Sequence, residues 1–84
     1  MYPKIVNVMA EAGFVLIVDF ENNVTKKVDM IKRLNERRFN LLKDKSFFEM
    51  VTVDTGGYGV SWNDEIDMSE YELWESGEVC NMQQ

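Results

Sequence analysis

The side chains of this sequence that could do chemistry are mostly carboxylates, gathered in its second half. Asp54-Thr55-Gly56 follows the β-branched run Val51-Thr52-Val53. It has the form of the triplet from which two facing copies build a proton-sharing aspartate pair, because adjacent like charges do not both ionise. Three residues make a weak motif, and Asp-Thr-Gly-Gly is good turn chemistry, so a hairpin turn is the expected role. Asn63-Asp64-Glu65-Ile66-Asp67 puts three carboxylates and an amide in five residues. Hard cations take six to eight oxygens, but no glycine marks the sharp turn of a calcium loop and no glutamate closes it at the right offset. An acidic turn leading to a helix is the plainer reading, with acid placed favourably before the helix N-terminus. Gly56-Gly57-Tyr58-Gly59 lacks the Lys-Ser/Thr of a phosphate-binding loop. Cys80, the only cysteine, lies in an acidic stretch, a poor setting for a nucleophile. There is no histidine, which removes Ser-His and Cys-His pairs and His-ligated zinc. Every catalytic motif lacks a partner residue, so no enzyme activity, metal or cofactor is expected.

Positioning such residues falls to a single small domain, since 84 residues leave no room for a second. The expected domain is 2–77, with 78–84 a flexible C-terminal tail. The composition is 45% hydrophobic and 29% charged, which excludes collagen-like and strongly disordered chains. The first third reads as a three-stranded β-meander. Phe14, Leu16, Val18 and Phe20 line one face, while Val15 and Ile17 make the other apolar too, as in a strand central to its sheet. Glu21-Asn22-Asn23 suits a tight turn, and Thr25 to Val28 alternate as a third strand. Asp29 is placed to cap a short helix with Ile31 and Leu34 on one face. Phe39, Leu41 and Leu42 are expected core contacts, and Asp44 opens a second helical turn through Phe47 and Phe48. Val51-Thr52-Val53 and Tyr58 to Trp62 form a second hairpin. Ser69-Glu70-Tyr71-Glu72 is a capping box, and the helix it opens stops at Gly77, as at a left-handed turn. The order is βββ-α-α-ββ-α, an α+β domain.

Charge is distributed unevenly. The net charge is −6, yet Lys26 to Lys45 carries eight bases and three acids, while Ser46 onward carries nine acids and no base. An acidic balance argues against indiscriminate coating of nucleic acid or an anionic membrane, but leaves a local basic patch possible. Pro3, Lys4 and Asn7 interrupt the first eight positions and the longest apolar run, Phe14 to Val18, has five residues. Neither a secretory leader nor a membrane span is expected, and the expected location is the cytoplasm.

The blocks Val53 to Ser69 (VDTGGYGVSWNDEIDMS) and Glu72-Leu73-Trp74, with Pro3-Lys4-Ile5-Val6, Val18-Asp19-Phe20, Val28-Asp29 and Leu42-Lys43-Asp44, resemble a bacterial family known as domain of unknown function 2442. The resemblance spans residues 2–77. It implies a small bacterial α+β protein without assigned catalytic residues, often encoded beside another small uncharacterised protein, which invites an antitoxin-like reading.

The expected function is therefore a non-enzymatic protein-interaction module, in its narrower form the neutralising or regulatory half of such a two-gene pair. Its surface would be an aromatic patch rimmed by acid: Tyr58, Trp62, Asn63, Asp64, Glu65 and Trp74, facing a basic protein partner. For Trp62 and Trp74 core packing is the plainer role, with Asn63 supporting the turn, and the patch is the sharper alternative to it. The alternative is nucleic-acid contact through the basic 26–45 segment, with Lys32, Arg33, Arg37 and Arg38 on phosphate. Oligomeric state is not legible, and either a monomer or a homodimer is compatible.

Overall fold

A computed structural model describes residues 2–80 as an α+β fold of two antiparallel sheets and short helices. The first sheet contains β1 (Ile5–Glu11), β2 (Val15–Phe20) and β3 (Thr25–Asp29), in the meander that the alternation predicts. β2 lies between β1 and β3, as its two apolar faces require. Its strand begins at Val15 rather than Phe14, because Phe14 closes the preceding turn at φ 61°. The Phe14 carbonyl accepts from the Met30 N–H at 2.9 Å and its ring meets Phe48 edge-on at 5.2 Å, so tertiary contacts hold this unusual backbone. Asn23 takes the second turn at φ 68°, the left-handed geometry that asparagine tolerates.

The basic middle departs from expectation. Asp29 accepts from the Ile31 N–H at 3.0 Å, forming a local turn instead of a helix cap. The chain then winds through two 3₁₀ segments, Arg33–Asn35 and Arg37–Lys43, separated by an extended Glu36. The buried residues Met30, Leu34, Phe39 and Leu42 are spaced too irregularly for one α-helical face. Leu34, Phe39 and Leu42 point inward, but Ile31 and Leu41, expected beside them, are exposed. In a three-residue turn Phe39 and Leu42 share a side, which turns Leu41 away. Asp44 does cap α1 (Lys45–Phe48), accepting from the Ser46 N–H at 2.9 Å and the Phe47 N–H at 3.3 Å.

The second sheet pairs β4 (Thr52–Val53), β5 (Gly59–Ser61) and β6 (Asp67–Ser69) in that order. β6 was expected as turn. Ile66 and Met68 are buried while Asp67 and Ser69 are exposed, a period-2 signal too short to stand out in the sequence. The Gly57 backbone, at φ 78°, lies directly against the backbone of Ile5 and so joins the two sheets. Helix α2 (Glu70–Ser76) starts at Ser69, whose Oγ accepts from the Glu72 N–H at 3.1 Å. The capping box is only half formed, because the Glu72 carboxylate turns to arginines of the middle segment. Gly77 ends α2 in extended backbone (φ −86°) rather than a left-handed turn, and the chain continues into β7 (Glu78–Val79).

β7 corrects the expected tail at its start. Glu78 and Val79 pair with Lys27 and Lys26, and the Cys80 N–H donates to the Thr25 carbonyl at 3.0 Å. The rest of the expected tail, 81–84, lies outside the described residues. One core fills the space between the elements, with Leu16, Val18, Phe20 and Val28 from the first sheet, Val60 and Met68 from the second, and Leu73 from α2. Such continuity matters in a small chain, where each large side chain is a sizeable share of the buried surface. Among the described residues no helix is long and apolar enough to cross a membrane.

Candidate functional site

Strand alternation decides what the second sheet presents. Val60 and Met68 turn to the core, so their neighbours must face outward. Register aligns Thr52 with Ser61 and Ser61 with Asp67, giving one outward row across three strands. Beside it, the Asp54 N–H donates to the Gly59 carbonyl at 2.9 Å, and Gly59 pairs with Ser69. Every side chain in these rows is short, so the face is recessed. The recess is a shallow cleft of about 440 Å³, lined also by Trp62, Asn63 and Asp64.

Asp54, Asp64 and Asp67 supply the charge of this face. Ser61 Oγ donates to Asp54 Oδ1 at 2.6 Å, which fixes that carboxylate across the hairpin. Thus Asp54 belongs to the turn and strand pairing, as read from its sequence, and also to the cleft. Asn63 Oδ1 accepts from the Glu65 and Ile66 N–H groups, each at 2.8 Å, and thereby holds the acidic turn in shape. None of the three aspartates has an ion-pair partner among the described residues. Nor does any set of three carboxylate or cysteine ligands there converge as a metal ion requires. The chemical capacity of the face is to accept hydrogen bonds and attract cations.

The aromatic patch is not brought together. Trp62 is only 6% exposed; its Nε1–H donates to the Phe48 carbonyl at 2.8 Å and its ring stacks on Phe48 with centroids 6.1 Å apart. Trp74 is half-buried, edge-on to Phe20 at 5.0 Å. The buried Lys26 runs beneath it, with Nζ 3.7 Å from the ring centroid and 2.6 Å from the Trp74 carbonyl. Tyr58 alone of the three is exposed, at 61%, with Lys4 Nζ 4.6 Å from its ring centroid. Glu65 is also exposed. Of the six residues expected to form the patch, the structure gathers Trp62, Asn63 and Asp64 at the cleft, with Trp62 buried rather than a projecting anchor. Thr52, Asp54, Ser61 and Asp67 were the missing members. Pairing the two expected strands in register would have found the first three, while Asp67 needed the unexpected β6.

The basic segment is partly neutralised. Arg33 donates to Glu36 (3.1 Å) and Glu72 (2.8 Å), and Arg38 to Glu36 (3.4 Å) and Glu72. Both guanidiniums lie over the buried Phe39 ring, at 5.1 and 4.3 Å from its centroid. Hydrogen bonding to Arg33 leads the effects that hold the Glu36 carboxyl below its ordinary pKa, against some desolvation. For Glu72 burial acts upward, but the bonds and charges of Arg33 and Arg38 prevail and lower it. Arg33 is raised, its two carboxylate bonds outweighing burial. Lys32 and Arg37 are exposed and without an ion pair among the described residues.

The family described as protein of unknown function (DUF2442) matches residues 5–78. The chain belongs to the DUF2442 family. The match runs from the start of β1 to the first residue of β7, so the acidic face lies wholly within the DUF2442 region. No curated protein and no solved structure gives a significant match to this DUF2442 chain.

Proposed function

We propose that this protein is a non-enzymatic interaction module whose acidic face receives a basic segment of a protein partner. The observation that carries the reading is the recess formed by β4–β6, where Asp54, Asp64 and Asp67 stand together without a counter-ion among the described residues. Glu70 and Glu72, by contrast, are engaged internally, Glu70 with Lys4 at 2.8 Å and Glu72 with Arg33 and Arg38. Uncompensated charge on a concave surface directs a complementary partner to it and fixes its orientation. Short side chains leave room for long lysine or arginine side chains, and arginine would engage carboxylates through its planar fork. In its narrower form, the module is the regulatory or neutralising half of a pair with a small basic protein.

Chemical-shift mapping with a nine-residue peptide of alternating arginine and glycine tests this reading. The expected result is that the amide signals of Thr52, Ser61, Asn63 and Asp67 move together and saturate. Shifts centred instead on the first sheet, around Glu11 and Glu78, would overturn it.

A further inference from the structure

We infer that Arg33 and Arg38 form a phosphodiester-binding clamp that Glu72 of α2 keeps closed. The two arginines lie over one buried ring, and the Nη2 atoms of both converge on a single oxygen, Oε2 of Glu72. The Nε atoms of both face the other carboxylate, Glu36, at 3.1 and 3.4 Å. These carboxylates play different parts. Glu36 belongs to the same short segment as the arginines and orients them. Glu72 comes from α2, 34 and 39 residues away in the chain, and occupies the point where their free ends meet. Guanidiniums converging on one oxygen are equally suited to a phosphate oxygen, which forms the same charge-assisted pairs.

The surroundings favour a polyanion over an isolated carboxylate. Lys32 and Arg37 flank the clamp, exposed and without an ion pair among the described residues. Without Glu72 the segment 32–38 holds four cations against Glu36 alone. The side chains of Arg38 and Glu72 are 49% and 24% exposed, so a competing phosphate reaches the clamp without unfolding the domain. Glu72 therefore acts as an intramolecular competitor, and the strand that displaces it gains contacts to Lys32 and Arg37 as well. The clamp is separate from the acidic face and does not depend on its having a protein partner.

The test is fluorescence anisotropy with a labelled single-stranded 20-nucleotide DNA of mixed sequence at 50 mM salt. Glu72→Gln is expected to bind about tenfold tighter than wild type, the scale of losing one charged competitor bond. Glu75→Gln makes the same charge change on an exposed part of α2 and is expected to stay within about twofold. Adding Arg38→Gln to Glu72→Gln should abolish the gain. Raising salt to 200 mM should weaken Glu72→Gln by roughly 7- to 50-fold, as two to four phosphate contacts require. The inference is overturned if Glu72→Gln binds no tighter than wild type, if Glu75→Gln gains equally, or if 1 mM inorganic phosphate displaces the DNA completely. Should Glu72→Gln fail to fold, side-chain NMR of wild type decides: the DNA must shift the Nε signals of Arg33 and Arg38, and unmoved signals overturn the clamp.

Discussion

Replacing Trp62 by Phe separates a core role for this residue from a binding role. Trp62 is 6% exposed, and its indole N–H is bonded to the Phe48 carbonyl at 2.8 Å in a buried setting. Phenylalanine retains an aromatic ring but has no donor, so the carbonyl is left without that partner at a cost of about 1–3 kcal/mol. The smaller ring also leaves a gap beside Phe48, worth about 1 kcal/mol more. The sum, about 2–4 kcal/mol, is a large part of the stability available to so small a domain. With a urea dependence of about 1 kcal/mol per molar, the unfolding midpoint should fall by roughly 2–4 M. Circular dichroism during urea titration measures this, with Tyr58→Ala as the comparison. Tyr58 is 61% exposed, and its removal is expected to change stability by no more than about 0.5 kcal/mol. A Trp62→Phe midpoint within about 0.5 M of wild type would refute the assignment of Trp62 to the core.

Gly57→Ala should destabilise by about 2–4 kcal/mol, because φ 78° disfavours a side chain and its Cβ would lie 2.5 Å from the Ile5 carbonyl oxygen; an unchanged urea midpoint would contradict the close sheet-to-sheet contact. Acid should loosen the Glu36–Arg33–Arg38–Glu72 cluster. Both carboxyls are held below their ordinary pKa, so their contribution is complete above the unfolded value of about 4.3 and lost as pH falls through the lower folded value. Melting temperatures measured down this acid range should therefore fall more steeply for wild type than for Glu36→Gln/Glu72→Gln, and equal slopes would argue against coupling between these groups.

The meander was legible because β2 is apolar on both faces and Asn23 marks a turn, two local signals that agree with the final topology. Asp44 and Ser69 announced their helix starts for the same reason: each cap is made within a few residues of chain. Phe39 and Leu42 were legible as core, but the 3₁₀ path through 33–43 was not, since Met30, Leu34, Phe39 and Leu42 follow no single helical period. Nor was β6, whose three residues alternate too briefly. The acidic block Asn63 to Asp67 stood out in composition, but its joining with Thr52, Asp54 and Ser61 depends on strand register. Charge runs concealed a similar feature. The basic middle and acidic C-terminal half look like separate surfaces, yet Glu72 folds back onto Arg33 and Arg38.

The central claim is that a basic partner is drawn to the recess between β4 and β6, rather than to negative charge in general. Calorimetric titration of the arginine–glycine peptide against two variants of equal net charge tests it most directly. Asp64→Asn/Asp67→Asn removes two charges from the recess, while Glu11→Gln/Glu78→Gln removes two from exposed positions on the first sheet. The recess variant is expected to bind about tenfold more weakly and the other to stay within about twofold of wild type. Equal losses in the two variants, or undiminished binding by Asp64→Asn/Asp67→Asn, would contradict it.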